Sequence, residues 1–215
     1  MRSGLRRNWG DNVTRIEEMN IISEVLGGNA NAFEALVIEN QHQVYTLALK
    51  MVGNEDDAYD ISQDAFVKAY NNLSKFRGDS KFSVWLYRLT SNLCLDFLRS
   101  RKRRSASSTS YINSDDEQQE IEIPDSRFSP ETLLEKRELR RRVNAALESL
   151  PDSYREIIVL REINGLSYEE IAQVLSLELG TVKSRIFRAR KKLCSILLKD
   201  GNLSGMLPSN TTKEA

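Results

Sequence analysis

The chain has a single histidine, His42, and two cysteines, Cys94 and Cys194, a hundred residues apart in apolar helical patterns. So few ligands assemble neither a zinc site nor a disulfide framework, and no metal or cofactor is expected. His42 stands among polar neighbours and receives no role. An enzyme that cuts or rejoins DNA would need a nucleophile beside clustered acids, bases or metal ligands; one histidine and dispersed serines support none. Long hydrophobic runs are also missing. No window approaches the ~20 apolar residues that cross a bilayer, and nothing near the start resembles an apolar signal region. Residues 31–104 hold no glycine-rich loop, strand alternation or pocket-like pattern, so neither a small-molecule substrate nor direct membrane insertion is expected. The reading is a reduced, cytoplasmic protein.

Net charge is absent as well: 31 basic residues balance 31 acidic ones in 215 residues. That balance argues against general adhesion to nucleic acid, but the charges are segregated. Residues 115–122 contain Asp115, Asp116, Glu117, Glu120 and Glu122, whereas Lys183, Arg185, Arg188, Arg190, Lys191 and Lys192 crowd residues 183–192 without an acid. Contact with DNA should therefore be local and driven by patches. Hydrophobic residues make up 40% of the chain, enough for real cores.

Helical periodicity dominates, and the fold class expected is all-α: two small helical domains joined by a flexible linker, the second with a helix-turn-helix. Residues 1–28 read as a basic leader and a short helix, capped by Thr14 with Glu17, carrying Ile16, Met19, Ile22 and Leu26, and ended by Gly27-Gly28. The first domain spans 29–104. Asn31 with Glu34 starts a helix whose Phe33, Leu36, Val37, Val44, Leu47 and Ala48 face a core, and Gly53 closes it. Asn54 caps the next helix, with Glu55, Asp56 and Asp57 at the positive end of its dipole. Asp60 and Asp64 continue that acidic face beside the apolar stripe Ala58, Ile61, Ala65 and Ala69. Two readings fit the acidic row, a solvated face or a surface that docks protein.

A loop from Phe76 to Lys81 leads into a further helix with the stripe Phe82, Leu86, Leu89, Leu93 and Phe97. Trp85, Arg88, Asn92, Arg99 and Arg103 fall on one flank. Rings interleaved with cations suit a single strand, whose bases stack while its phosphates meet the charges; Trp85 itself is expected in the core rather than as a stacking platform, since large aromatics beside a Leu stripe usually pack. Five positive charges in the six residues Arg99 to Arg104 exceed what a helix end needs.

Residues 105–128 form a polar, acidic, flexible linker with no hydrophobic period. Fully stretched, such a tether reaches on the order of 85 Å, or ~25 base pairs at ~3.4 Å each. The second domain spans 129–200 and opens at Ser129-Pro130-Glu131. Its first helix carries Leu139, Val143, Ala146, Leu147 and Leu150 until Pro151 breaks it; another runs through Ile157, Ile158, Leu160 and Ile163 to Asn164-Gly165. Ser167 and Glu170 then form a capping box, a short helix ends near Leu175, a tight turn follows, and Thr181 can cap a second helix. In that helix Val182, Ile186, Ala189, Leu193 and Ile196 make one stripe. Ser184, Phe187, Arg188 and Lys191 face outward with Lys183 beside them, the pattern of a helix-turn-helix reading the major groove. Phe187 fits a thymine methyl or sugar in the groove, or packing on the preceding helix. Residues 201–215 form a polar tail.

Phe76-Arg-Gly-Asp-Ser-Lys-Phe-Ser-Val-Trp-Leu-Tyr-Arg88 closely resembles the promoter-melting segment of bacterial sigma factors of the extracytoplasmic-function group. Gly180-Thr-Val-Lys-Ser-Arg-Ile-Phe-Arg-Ala-Arg190 is very similar to the helix with which that group reads the minus-thirty-five element. The resemblance covers about two thirds of the chain, with both modules in order. It implies a non-catalytic subunit that binds RNA polymerase core, through the large-subunit coiled coil and flap, and directs it to promoter DNA. Asp60, Gln63, Asp64 and Phe66 would meet the coiled coil. Loop residues Phe76, Arg77, Gly78, Asp79, Ser80 and Lys81, with Arg88, Asn92, Arg99 and Arg103, would meet the minus-ten element, where the loop and Asn92 match the positions that capture an unpaired base. Thr181, Lys183, Ser184, Phe187, Arg188 and Lys191 would meet the minus-thirty-five element. It also implies an inhibitory anti-sigma partner. A one-component regulator, the other DNA-binding reading, would have no use for the acidic helix or the melting loop.

Overall fold

The computed structural model describes residues 15–107 and 130–199. The basic leader, the Thr14 cap, residues 108–129 of the linker with Ser129, and the polar tail lie outside them. The described residues are helical throughout, with no strand among them: α1 Arg15–Leu26, α2 Phe33–Val52, α3 Glu55–Asn71, α4 Phe82–Ser107, α5 Pro130–Glu148, α6 Asp152–Ile158, α7 Tyr168–Leu175 and α8 Leu179–Lys199. They form two compact units, one built chiefly on α1 to α4 and the other on α5 to α8.

In the first unit α2 packs along α3, and α1 lies against α2 and the short 3-10 turn Leu73–Lys75. Val44, Leu47, Ala48 and Met51 of α2 are fully buried, as are Ala58, Ala65 and Ala69 of α3. The small alanines of α3 let the two helix axes approach, and Gly53, in the left-handed region at φ 77°, turns the chain between them. Phe33 of α2 carries the contact onward, meeting Tyr70 edge-on at 5.2 Å and Phe82 of α4 at 6.3 Å.

Four local expectations give way to tertiary packing. Asn31 is not a cap: a 3-10 turn, Ala30–Ala32, runs straight into α2, and Ala32 at the cap position makes no side-chain bond. On α1 the buried residues are Ile21, Ile22 and Val25, while Ile16, Met19 and Leu26 are exposed. The face that turns inward carries Ile21, Ile22 and Val25, and half-buried Glu18 on the same face finds a partner there, described below. On α4 the buried set is Phe82, Val84, Leu86, Tyr87, Thr90, Ser91, Cys94 and Leu98, and in the later turns it lies one position removed from the expected Leu89, Leu93 and Phe97, which are only half-buried. Thr90 tolerates burial because its hydroxyl donates to the Leu86 carbonyl at 3.0 Å. Leu139 on α5 is exposed rather than core, and the buried side of that helix is Ala146 and Leu147, followed by Leu150 just beyond its end.

In the second unit α8 packs against α5 and α6. Arg155 is buried, yet its guanidinium donates to the carbonyls of Leu147 at 3.0 Å, Leu150 at 3.3 Å and Glu148. It closes the C-terminal end of α5 where Pro151 turns the chain, satisfying carbonyls that a helix end leaves orphaned. Burial lowers its pKa, but a guanidinium remains charged in proteins. After Ile158 the helix widens into a π-helical turn, Val159–Ile163, and Gly165 at φ 71° ends it.

Candidate nucleic-acid interface

On α3 the Asn54 side chain accepts the Asp57 N–H at 2.9 Å, which fixes where the helix begins and so the phase of its faces. Ala58, Ile61, Ala65 and Ala69 turn to the core; Asp60, Gln63 and Asp64 are exposed and Phe66 is half-buried. Tyr59 and Val67, each 59% exposed, share the uncovered side. The sequence reading passed over both, because a single apolar residue among acids carries no period.

Loop 76–81 is held at both ends by rings. Phe76 meets Phe82 at 5.9 Å and Trp85 at 5.3 Å, and Phe82 meets Trp85 at 5.7 Å. Trp85 is thus a member of the aromatic cluster, half-buried. Between the rings Arg77, Asp79 and Lys81 are exposed, Ser80 donates to the Lys81 carbonyl at 3.2 Å, and Gly78 has φ 74°. That left-handed conformation favours glycine. Along α4 the exposed flank carries Arg88, Asn92, Arg99 and Arg103, with Arg99 bonded to Asp96 at 3.0 Å.

Helix α1 supplies a third wall for the loop. Arg15 donates to the Gly78 carbonyl, the Met19 thioether lies beside Gly78, and Glu18 accepts the Phe82 N–H at 3.3 Å. Burial raises the Glu18 carboxyl above its ordinary value, a shift that the bond from Phe82 partly opposes. The bonds from Arg15 and Glu18 span 63 and 64 positions. The one available signal was an acid on the apolar face of α1.

The second unit holds the helix-turn-helix formed by α7 and α8. Ser167 Oγ accepts the Glu170 N–H at 3.1 Å and Glu170 Oε2 accepts the Ser167 N–H at 2.9 Å, completing the capping box. Ser176, left-handed at φ 52°, makes the turn. Helix α8 begins at Leu179, with the Glu178 carbonyl accepting the Val182 N–H at 3.0 Å. Thr181 therefore lies inside the first turn and is not the cap. Val182, Ile186 and Ala189 are buried, while Thr181, Lys183, Ser184, Phe187, Arg188 and Lys191 are exposed. Phe187, 70% exposed, does not pack on the preceding helix. Ser184 turns its hydroxyl back to the Thr181 carbonyl at 3.0 Å. Among the described residues no ion pair engages Lys183, Arg188 or Lys191, whereas Arg190 is held by Glu162.

In chain order the described residues thus present an acidic face on α3, a loop set between aromatic rings and a cationic face on the second helix of a helix-turn-helix. The family model for Sigma-70 region 2 matches residues 36–104, and that for Sigma-70, region 4 matches residues 140–193. The chain belongs to the sigma-70 family of bacterial RNA polymerase sigma factors. The ECF RNA polymerase sigma-E factor of Escherichia coli K12 is 41% identical over 174 residues, which cover 80% of this chain and 90% of that protein. The RNA polymerase sigma-H factor of Pseudomonas aeruginosa is 36% identical over 187 residues, covering 84% and 94%. Among solved structures, CnrH in complex with the cytosolic domain of CnrY matches with TM-score 0.62 and 31% identity over 85% of this chain and 98% of that one. The sigma factor RpoE in complex with the anti-sigma factor NepR from Bartonella quintana matches with TM-score 0.60 and 26% identity, covering 78% and 98%. Within the family the chain is of the extracytoplasmic-function group, and it recognises promoters to initiate transcription of a regulon. Among the described residues no helix is long and apolar enough to cross a membrane.

Proposed function

We propose that the exposed face of α3, with Asp60, Gln63, Asp64 and Phe66, docks on the coiled coil of the large RNA polymerase subunit, and that the second unit engages the flap. Loop 76–81 and Asn92 capture an unpaired base of the minus-ten element, while Arg88, Arg99 and Arg103 follow the strand's phosphates. On α8, Thr181, Lys183, Ser184, Phe187, Arg188 and Lys191 meet the minus-thirty-five element. The protein performs no covalent chemistry; the polymerase supplies it. It works in the cytoplasm, where both partners reside. The similar RpoE was solved with an anti-sigma factor, and a partner of that kind is proposed here to occlude the same faces.

One observation carries this reading: α3 and α8 each bury one face, apolar but for Ser62 on α3, and leave the opposite face uncovered, acidic on α3 and cationic on α8. Neither face serves its own unit's core, and their signs suit two different partners. The test is gel filtration with polymerase core. Asp60→Lys combined with Asp64→Lys should abolish co-elution while the helical circular-dichroism signal stays intact, since exposed charges contribute only about 0–1 kcal/mol each to stability. Unchanged co-elution would remove α3 from the docking surface.

A further inference from the structure

Loop 76–81 is six residues long, and three side chains of α1 hold it at two points. Arg15 bonds the carbonyl of Gly78, the residue whose left-handed φ of 74° sets the direction of the loop. Met19 fills the space beside the same residue, where an added Cβ would stand 3.2 Å from its sulfur. Glu18 takes the Phe82 N–H, at the position where the loop becomes α4. That N–H is one of the donors a helix start leaves without a partner, and α4 has no acid in its own first turn. A carboxylate from another helix meets both the orphan donor and the positive end of the dipole. Glu18 shares its face of α1 with the buried Ile21, Ile22 and Val25, so burying that face delivers the carboxylate to α4.

We infer that Arg15, Glu18 and Met19 are positioning residues for promoter opening, with α1 holding loop 76–81 in the shape that receives an unpaired base. This rests on the reading of the loop given above. A segment that must order itself while it accepts a ligand spends part of the interaction on that ordering; one already held does not. Base capture competes with stacking and pairing in the duplex, so a loop loosened at Gly78 and Phe82 loses most where the duplex still has to be opened. Where strands are already separated, the same loosening matters less. A helix that merely added stability would show no such dependence on the template.

The experiment uses holoenzyme formed from the full chain and polymerase core, scored by permanganate reactivity on two templates: a duplex promoter and the same promoter mismatched over the minus-ten element. Each variant is assayed below its own melting temperature, with core affinity measured alongside. Glu18→Ala should reduce opening of the duplex on the order of tenfold, or ~1.4 kcal/mol, with little loss on the mismatched template. Glu18→Gln keeps an oxygen for the Phe82 N–H and should open the duplex like the parent. Arg15→Ala, at an exposed position, should repeat the template-dependent loss without disturbing the apolar face of α1, and it carries the test alone if Glu18→Ala fails to fold. Asn92→Ala reports on the loop reading itself. If Asn92→Ala discriminates between the templates while Glu18→Ala and Arg15→Ala lose equally on both, the positioning role is wrong and the loop reading stands. If Asn92→Ala also loses equally on both, the loop reading fails and the positioning role falls with it.

Discussion

Arg190 of α8 reaches the carboxylate of Glu162 on the π-helical turn through two nitrogens, Nε at 2.9 Å and a terminal nitrogen at 2.5 Å, both on the same oxygen. The pair ties the reading helix to the helix behind it and withdraws one cation from the DNA-facing set. Both side chains are about half exposed, so the pair contributes roughly 0–1 kcal/mol. Glu162→Gln should therefore lower thermal stability only slightly. With Arg190 released to reach phosphate, the salt dependence of DNA binding should steepen by about one unit of slope. Thermal unfolding together with a salt titration checks both; an unchanged slope would mean that Arg190 points away from the DNA.

Arg188 is exposed on α8, two turns beyond Thr181, where an arginine can bond a guanine edge through two donors. Arg188→Ala should cost about 1–3 kcal/mol on the preferred upstream element and relax selection at one base pair, while Lys191→Ala weakens binding evenly across sequences. Holoenzyme binding to a library randomised over that element separates the two. A reversed pattern would exchange their assignments.

Arg155, to which the sequence reading assigned no role, joins α5 to α6. Replacing it by Leu leaves the carbonyls of Leu147, Glu148 and Leu150 without their charged donor. The expected loss is roughly 1.5–3 kcal/mol, the size of hydrogen bonds to a charged group. Chemical denaturation should show it in the second unit, with core binding through α3 unaltered.

Glu18 gives a pH prediction of definite sign. Its folded pKa is raised above the ordinary 4.5, chiefly by burial, so the protonated form is the one the fold prefers. That contribution to stability is complete below the ordinary value and is lost as pH rises through the folded one. Glu18→Gln should accordingly be at least as stable as the parent at neutral pH, and the advantage should vanish in acid. Urea unfolding at several pH values measures this; an advantage that grew in acid would contradict the burial.

The features legible in the sequence are those whose partners are close along the chain. Asn54 with Asp57, and Ser167 with Glu170, are three residues apart, so residue type and spacing specify the bond. The stripes Ala58 to Ala69 and Val182 to Ala189 were legible because small or branched apolar residues repeat there at helical spacing, although the period passed over Ser62, which is buried beside Ala58 with its hydroxyl donating to the Ala58 carbonyl. On α4 Phe82 and Leu86 are buried as expected, but further along the inward face includes Thr90 and Ser91, which a hydrophobic period counts as polar, so the rest of the stripe was placed one position away. The start of α8 was misplaced for a related reason: Thr181 has the right side chain for a cap, but the chain is already helical at Leu179. The α1 contacts with the loop were not legible, because a bond spanning 64 residues leaves no mark in local spacing.

Phe187 has a consequence for how this protein behaves toward copies of itself. A bare phenyl ring on a helix surface invites self-association, since two such rings would gain by covering one another. Lys183, Arg188 and Lys191 stand around it, all exposed. At physiological ionic strength charges are felt over ~8 Å, about the distance at which two such helices would have to meet, so approaching copies repel before the rings touch. A polyanion reverses the sign of that barrier and is drawn in to the ring. On the proposed reading of α8, the charges that would draw DNA to the ring are the same ones that hold a second copy away from it.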